Sequence, residues 1–383
     1  MREKMLLVSA ISPWPADSGG ATRIFQTIKH LSRRYQLYVL LFGDEIHDPD
    51  QRSWLDKHSA RWQIFPRRAR QLFSSLPYQF SCWQNDQLEQ TFKTLIEREQ
   101  IKRVRIEFTQ IASLRRLVPK GVKTTFVAHE ISTVSYARRE HCDWCHADFV
   151  TILRAGFAHA SRVEIEAYEK FWLPRYDEVV AVSAADAAWL QQNWHLRQVR
   201  VEPNGIESVE FLPRLELEIL TCGYIGSPQH RPNARAIKFA TQKVLPLLAV
   251  PYEFLLAGSH HEKSDDQHIK ILGEVKNVRD FYSQIDFLLA PLFAGSGTRM
   301  KILESLSFGV PVITTPIGAE GLEIASPFLQ IVDAADEEIL AHAMAERLQK
   351  MITARRQWET PENRKQLQKQ LSAYTWEKSF ANS

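Results

Sequence analysis

The sequence has few of the features that mark secreted, membrane-spanning or disordered chains. It holds only four cysteines, Cys82, Cys142, Cys145 and Cys222, at irregular spacing. They are too few for a disulfide framework and fit a reducing, cytoplasmic setting. No apolar run approaches the ~18 residues that a membrane-spanning helix needs. The opening apolar run, Met5–Ile11, is short and lacks a small-residue cleavage site, so we expect a first β-strand there and no signal peptide.

Composition and length are those of an ordinary globular chain with more than one domain. The hydrophobic fraction is 44% and the charged fraction 24%, which disfavours disorder. The 383 residues exceed the ~250–300 that one hydrophobic core supports, so we expect two domains. The net charge of +3 is too small to name a partner, although residues 1–210 carry 29 Lys and Arg against 25 Asp and Glu.

Short apolar runs, each followed by a polar or glycine-containing loop and a helical pattern, recur along the chain. Met5–Ser9 and Lys123–Ala128 are two such runs, and Ser183 is placed to cap a helix. This alternation predicts an α/β protein with doubly wound parallel sheets covered on both faces. The pattern restarts after the turn signal Pro203-Asn204-Gly205, which predicts a first domain at 1–210 and a second at 211–365.

The strongest local signal is the loop Phe293–Gly297 and the helix predicted to follow it, which Thr298 could cap. A glycine loop that leads into a helix N-terminus exposes several backbone N–H groups and can bind an anion. Arg299 adds positive charge, and Lys301 and Glu304, three residues apart, lie on one helix face. From spacing alone, an anion site and a capped helix with a surface Lys–Glu pair remain equal alternatives.

The segment GSGTRMKILESLSFGVPVITTPIGAEGL closely resembles the donor-site signature of family 4 glycosyltransferases with the GT-B fold. Further stretches at the family's spacing extend the resemblance along most of the chain: PWPADSGGATR, EFTQIA, His129-Glu130, YDEVVAVSAADAAWL, VEPNGI and the block ending in VLPLL. The resemblance implies two Rossmann-like doubly wound domains that face a cleft. It also implies that residues 366–383 form a last helix that crosses back to the first domain.

For the donor, the resemblance assigns roles residue by residue. Glu304 is expected to hold the ribose hydroxyls, while Ser296 stands where the family usually has a second glutamate. The donor-binding set that the resemblance gives on the glycine loop and its helix is Gly295, Ser296, Gly297, Thr298, Lys301 and Glu304. Gly19 and Gly20 would let the first loop approach the diphosphate, and Val275 would meet the nucleotide base through its backbone.

Many relatives carry an arginine and a lysine after the first glycine of the second domain, where this chain reads GYIGSPQHRPN. The matching positions here are Ser227 and Pro232. Arg299, Lys301 and Arg231 are the cations that we expect to serve the departing diphosphate instead. A solvated loop position is the alternative for Arg231.

Two residues at the ends of predicted strands are catalytic candidates besides Arg299. His129 ends the run FVAHE, and the family's histidine at this place lies near the donor sugar; a buried structural histidine is the alternative. Glu107 ends a strand in the EFTQ motif and could order the acceptor or accept its proton. An ion pair between Glu107 and an arginine is equally compatible with the sequence.

Two metal-like patterns are weak. Asp48-Pro49-Asp50 reads as a DxD motif but lies in a polar loop far from the donor segment. The segment His141–His146 has one CxxC spacing but no second pair, and four ligands on six residues would be cramped. We therefore expect neither a metal nor another cofactor, and the sequence gives Cys142 and Cys145 no role.

The segment Arg61–Trp83 mixes four arginines with six aromatic residues. One interpretation is a basic, aromatic lip that meets an anionic membrane surface or a lipid-linked acceptor. The other is a solvated face over ordinary core aromatics. We do not expect nucleic acid as a partner, because the net charge of the whole chain is only +3.

Together these features predict a cytoplasmic retaining glycosyltransferase, with a peripheral position on the inner face of the plasma membrane as a further expectation. A UDP- or GDP-sugar is the expected donor, a glycan or lipid-linked molecule the acceptor, and bacterial surface polysaccharide the product. The alternatives are a non-catalytic GT-B protein that binds sugar nucleotide or glycan, and a GT-B sugar-nucleotide epimerase, because fold alone does not fix function.

Overall fold

The computed structural model describes the chain except residues 1, 16, 17, 72, 73, 145–148, 214–218, 263, 296, 382 and 383, and the side chains of 139–155. The chain divides into two compact units, which we call unit 1 (Met1–Pro203 with Phe380–Ser383) and unit 2 (Asn204–Ser379). The two parallel-sheet α/β domains that the sequence predicts are confirmed by the sheets of these units.

Among the described residues of unit 1, seven strands form one parallel sheet in the order β3-β2-β1-β4-β5-β6-β7. The strands are β1 (Glu3–Ser9), β2 (Tyr35–Phe42), β3 (Arg61–Phe65), β4 (Arg103–Glu107), β5 (Lys123–Ala128), β6 (Glu178–Ala181) and β7 (Val199–Val201). The helices are α1 (Gly19–Leu31), α2 (Pro49–His58), α3 (Asp86–Arg98), α4 (Ser132–Trp144), α5 (Phe149–Trp172) and α6 (Ala184–Trp194). Segments of 3-10 helix cover Tyr78–Trp83, Thr109–Leu117 and Leu173–Arg175.

The central strands of unit 1 are buried on both faces, as continuous apolar runs in a parallel sheet require. On β1, Met5 and Leu7 pack in one core cluster with side chains of α1 and α2. Leu6 and Val8 point to the opposite face and pack in a second cluster with side chains of α3, α5 and α6. The alternation of side chains along a strand thus supplies two cores from one run of sequence.

In the described part of unit 2, six strands form a second parallel sheet in the order β10-β9-β8-β11-β12-β13. Its strands are β8 (Leu220–Ile225), β9 (Tyr252–Ala257), β10 (Ile269–Gly273), β11 (Phe287–Ala290), β12 (Val312–Thr314) and β13 (Leu329–Ile331). Its helices are α7 (Arg231–Phe239), α8 (Val278–Tyr282), α9 (Met300–Ser307), α10 (Pro316–Ala319), α11 (Glu337–Thr353), α12 (Arg355–Trp358), α13 (Pro361–Leu371) and α14 (Trp376–Ser379).

The C-terminal segment is not the single helix expected at 366–383. It consists of α13, a 3-10 turn at Ser372–Tyr374 and the short helix α14, all within unit 2. Only Phe380–Ser383 group with unit 1, where Phe380 stacks on His30 with ring centroids 5.1 Å apart.

Each sheet reverses its winding once, between β1 and β4 in unit 1 and between β8 and β11 in unit 2. At such a switch point the connections leave the two strands in opposite directions and open a crevice beyond their carboxyl ends, where doubly wound proteins bind ligands. The loops that follow β1, β4, β8 and β11 are therefore the places to look for chemistry.

Candidate functional site

In unit 2, Lys301 on the first turn of α9 reaches the loop that follows β8. Its Nζ donates to Asn233 Oδ1 at 3.0 Å and lies 3.9 Å from the centroid of the Tyr224 ring, a cation–π distance. Tyr224 Oη donates to the same Asn233 Oδ1 at 2.8 Å. Burial lowers the pKa of Lys301 to about 7, because the ammonium has left water for a largely neutral environment.

Gly226, the first residue after β8, must be small for this arrangement to exist. Its φ is +140°, and a Cβ there would lie 2.7 Å from Asn233 Nδ2 and 2.9 Å from Lys301 Nζ. The lysine ammonium therefore lies directly against the backbone of the β8 loop. This places positive charge at the carboxyl end of the strand beside the switch point.

Glu304, one turn along α9 from Lys301, is half-buried. Tyr282 Oη donates to the backbone carbonyl of Lys301 at 2.9 Å and lies 3.5 Å from Glu304 Oε2. Burial raises the pKa of Glu304, an effect that Lys301 partly offsets. No ion pair within 4 Å joins Lys301 and Glu304 in the described part of the chain, so they are not the surface Lys–Glu pair that spacing alone allowed.

The glycine loop before α9 folds back on itself. Arg299 Nη1 donates to the carbonyl of Gly297 at 2.6 Å, and a Cβ on Gly295, whose φ is +110°, would lie 3.2 Å from Arg299 Nη2. The helix begins at Met300 with Arg299 in the cap position and no side-chain cap, so the expectation that Thr298 caps it is wrong. Ser296 lies outside the described residues.

The remaining donor candidates of unit 2, Thr298, Arg231 and Val275, differ in how exposed they are to solvent. The carbonyl of Thr298 accepts from Asn204 Nδ2 at 3.4 Å, which ties the loop to the start of the unit. Arg231 is exposed as the first residue of α7, and Val275 is half-buried after β10, packed against the core of the unit. Lys301 contacts Asn233 on α7.

In unit 1, Gly19 and Gly20 form the start of α1, whose N-cap is Ser18; Ser18 Oγ accepts from Ala21 N at 3.2 Å. A Cβ on Gly20 would lie 2.9 Å from Ile11 Cδ1 and 3.3 Å from Phe108 Cζ. A side chain at position 20 would therefore have to displace the end of Ile11 and crowd the Phe108 ring.

Beneath the loops after β1 and β4 lies a buried network of charges. Arg105 Nε donates to Glu107 Oε1 at 2.6 Å, and Arg105 Nη2 donates to Glu202 Oε1 at 2.6 Å. Arg23 Nη2 donates to the same Glu202 oxygen at 2.7 Å. Burial alone would raise the pKa of Glu202, but Arg105 and Arg23 outweigh it and hold that pKa below its usual range. Arg200 Nη1 donates to the other Glu202 oxygen at 3.0 Å, so three arginines face the two carboxylates, and such pairing is how buried charges are tolerated.

His129, at the end of β5, joins this network through Glu107. Its Nε2 lies 2.6 Å from Glu107 Oε2, and its ring stacks on Phe108 with centroids 3.6 Å apart. Burial lowers the pKa of His129 although Glu107 opposes that shift. The pKa of Glu107 lies below its usual value, since Arg105 and His129 together outweigh burial. An ionised carboxylate can only accept a hydrogen bond, so Nε2 of His129 carries the proton. In the neutral ring, Nδ1 is then the nitrogen without a proton.

The sequence allows two roles for Glu107: it orders the acceptor or accepts its proton, or it forms an ion pair with an arginine. Glu107 is fully buried, and both of its oxygens accept hydrogen bonds inside unit 1. The ion pair with an arginine is therefore present. Phe108, which follows Glu107, has φ +79°, a strained conformation for a large side chain of the kind that concentrates at functional sites.

Glu169 on α5 joins the segments that carry these residues. It accepts hydrogen bonds from Thr109 Oγ1 at 3.1 Å, just after β4, and from the amides of Ser132 and Thr133, both at 3.0 Å, after β5. Burial raises its pKa to about 7, and the hydrogen bonds oppose the shift. One buried carboxyl thus fastens both loops to the same helix.

Other sequence signals have structural explanations or lie outside the description. Asp48 is the N-cap of α2, where its side chain accepts from Asp50 N. In Arg61–Trp83, residues 61–65 form strand β3, and Phe65 and Phe80 belong to the core. Phe73, Cys145 and His146 are outside the described residues, as is the side chain of Cys142. No cluster of three metal-ligating side chains occurs in the part that is described, nor any helix long and apolar enough to span a bilayer.

Sequence reasoning missed several residues of both sites. Tyr224 and Asn233 both lie within the noted stretch GYIGSPQHRPN, but only the fold shows that they meet Lys301. The RVRIE run of β4 places Arg105 and Glu107 two residues apart on one strand face, which was an available signal for a buried ion pair. Glu202 is distant in sequence from both Arg23 and Arg105, and nothing local identifies it.

Part of unit 2 matches a known protein family. Residues 220–350 match the family model described as "Glycosyl transferases group 1". Over 230 residues the chain is 26% identical to the lipopolysaccharide core biosynthesis mannosyltransferase LpsB of Rhizobium meliloti, an alignment that spans 53% of this chain and 61% of that protein.

Sucrose-phosphate synthase and HepE are among the solved structures that cover nearly the whole chain. Sucrose-phosphate synthase from Thermosynechococcus elongatus superposes with a TM-score of 0.74 at 16% identity, covering 99% of this chain and 97% of its own. HepE from Anabaena, solved in complex with UDP and glucose, gives a TM-score of 0.66 at 15% identity, covering 99% and 98%. The chain thus has the GT-B fold of glycosyltransferases, and its unit 2 carries the segment that matches the group 1 glycosyltransferase family.

Proposed function

We propose that the protein is a retaining glycosyltransferase that transfers a sugar from a nucleotide sugar, a UDP- or GDP-sugar, to a glycan or lipid-linked acceptor. The observation that carries the proposal is the Lys301 ammonium, held by Asn233 and Tyr224 against the β8 loop, one helical turn from Glu304. A cation and a carboxylate at a switch point suit a diphosphate and a ribose, respectively. The complex of HepE with UDP and glucose supports this class of donor.

The reaction breaks the bond between the anomeric carbon and the diphosphate oxygen. Negative charge then develops on the departing phosphate, and Lys301 and Arg299 stabilise it electrostatically, as fixed cations do in a preorganised site. For retention, the acceptor hydroxyl attacks on the face that the leaving group vacates, and its proton passes to the departing phosphate oxygen. This scheme uses no enzyme nucleophile, no metal and no other cofactor.

In unit 1 we assign His129 to the sugar hydroxyls and Glu107 to the orientation of His129. Glu107 fixes the proton on Nε2, so Nδ1 would accept a hydrogen bond from a hydroxyl group. We assign Gly19 and Gly20, at the start of α1, to the approach of the diphosphate. Arg67, Arg68 and Arg70 are exposed, and we extend the proposal to an anionic membrane surface or lipid-linked acceptor meeting them.

The context that we propose is the synthesis of a lipopolysaccharide or another surface polysaccharide in the cytoplasm. LpsB, the relative from Rhizobium meliloti, is described as a mannosyltransferase of lipopolysaccharide core biosynthesis. Since the alignment spans only part of that protein, the whole chain's acceptor and product remain part of the proposal.

The test is turnover of a panel of UDP-, GDP-, ADP- and dTDP-sugars by the purified protein with and without EDTA. Free nucleotide and a new glycoside with the donor's anomeric configuration are expected, unchanged by EDTA and lost in Glu304→Ala. Binding of a nucleotide sugar without release across lipopolysaccharide-derived acceptors would favour the non-catalytic protein. Interconversion of the sugars would favour the epimerase. Either outcome would overturn the proposal.

A further inference from the structure

A cavity of about 120 Å³ lies in unit 1, between α3, the 3-10 segment Thr109–Leu117 and the end of α5. It begins at Gln110, shortly after Glu107, but contains none of the charged network around His129. We propose that this cavity binds one sugar unit of the acceptor. The inference deepens the proposed function, on which it rests for the identity of the saccharide as an acceptor.

Two indole rings supply apolar walls of the cavity, those of Trp83 and Trp172. Trp83 is held in place because its Nε1 donates to the carbonyl of Ala10 at 2.7 Å, and the guanidinium of Arg67 lies 5.8 Å from its ring centroid. A flat aromatic face accommodates the C–H face of a pyranose while its hydroxyls point sideways to polar groups.

Polar groups for those hydroxyls line the same cavity. Gln110 Oε1 is buried and has no hydrogen-bond partner in the described part of the chain. Gln84 Oε1 accepts from Ser74 Oγ at 3.0 Å, which leaves its NH₂ group as a donor. Arg116 Nη2 donates to both oxygens of Glu89 at 2.7 Å, and this planar pair keeps further donors and acceptors for neighbouring hydroxyls.

This combination selects a saccharide over other ligand classes. An anion gains little, since Glu89 neutralises Arg116. A purely apolar molecule would leave the buried Gln110 oxygen without a donor, which is unfavourable. A sugar offers both an apolar face and hydroxyl donors. The volume of about 120 Å³ is too small for an extended saccharide chain.

The experiment uses the full-length protein labelled with 5-fluorotryptophan and observed by ¹⁹F NMR. The probes are the methyl α-glycosides of mannose, glucose and galactose, and the resonances of Trp83 and Trp172 are assigned with Trp83→Phe and Trp172→Phe. We expect at least one glycoside to shift both resonances saturably while Trp358 of unit 2 stays unshifted. Gln110→Leu should raise the Kd at least fivefold.

Gln349→Leu is the matched control, because Gln349 in unit 2 also has a buried Oε1 without a described partner and should leave the Kd unchanged. Arg116→Met is the second variant, should Gln110→Leu fail to melt cooperatively, and it should weaken binding likewise. Unshifted Trp83 and Trp172 resonances with all three probes at tens of millimolar would overturn the inference. So would an unchanged Kd in the folded cavity variants.

The outcome is separable from that of the proposed function. If no nucleotide sugar is turned over but the glycoside shifts persist, the proposed function is wrong. The cavity then still binds a saccharide, but that saccharide is no longer assigned to an acceptor. If transfer occurs but the two tryptophans do not respond, the cavity inference alone is overturned.

Discussion

The ammonium of Lys301 lies 3.9 Å from the centroid of the Tyr224 ring and is hydrogen-bonded to the neutral amide oxygen of Asn233. Within the described residues no carboxylate pairs with it inside 4 Å, so its charge is available to an anionic ligand. Burial has already lowered its pKa to about 7. An arriving diphosphate would favour the protonated form and raise that pKa again.

Donor binding should therefore be coupled to proton uptake. Above pH 7 the free site loses the Lys301 proton, so affinity for UDP-glucose or GDP-mannose should fall as the pH rises from 7 to 9. At pH 8 the uptake should approach about one proton per bound donor, and it should vanish near pH 6. Calorimetry in buffers of different ionisation enthalpy measures it. Lys301→Met should abolish the uptake; the same uptake in that variant would assign it to another group.

Gly226→Ala should weaken donor binding by about tenfold or more, because its Cβ would push against Asn233 Nδ2 and Lys301 Nζ. Gly121→Ala is the matched control: its φ is also positive, at +85°, but a Cβ there meets nothing within 4 Å. Both variants carry backbone strain, and only the first displaces the lysine. Titration with UDP-glucose and GDP-mannose distinguishes them, and equal losses would contradict the role given to the β8 loop.

In unit 1, Glu202→Gln should lower the free energy of unfolding by about 3–5 kcal/mol, since it removes the carboxylate that balances Arg23 and Arg105 in a buried site. The control is Glu3→Gln, which removes a half-exposed partner of Arg103 and should cost about 0–1 kcal/mol. Urea denaturation measures both. A loss in Glu202→Gln no larger than in the control would show that the buried network does not stabilise the unit.

Glu169 should make stability depend on pH between about 4.5 and 7. Its folded-state pKa is raised from 4.5 to about 7, so the folded chain retains a proton that the unfolded chain releases. Stability from this group is present below pH 4.5 and is lost as the pH rises through 7, by up to about 3 kcal/mol. Glu169→Gln cannot titrate and should lose this slope. Identical pH slopes of the unfolding free energy in both proteins would refute the assignment.

The sequence predicts the central strands and the helix boundaries with strong local signals. Strand Lys123–Ala128 and the cap Ser183 are confirmed without adjustment. Two edge strands, Arg61–Phe65 and Leu329–Ile331, were missed: each has a neighbour on only one side of its sheet, and its apolar period is weak.

The site is predictable only in part, because its contacts join distant segments. The glycine loop and the Lys301–Glu304 face follow from local spacing. The hydrogen bond between Lys301 and Asn233 crosses 68 residues, and the ion pair between Arg105 and Glu202 crosses 97. Such pairs depend on strand order, which periodicity does not supply.

The most direct measurement is a crystal structure of the protein soaked with UDP-glucose and, separately, GDP-mannose. The account predicts density for one nucleotide sugar in unit 2, with a diphosphate oxygen within hydrogen-bond distance of Lys301 Nζ and the ribose hydroxyls at Glu304. A nucleotide bound only in unit 1 would contradict the account. So would a diphosphate that contacts neither Lys301, still hydrogen-bonded to Asn233, nor the backbone amides before α9.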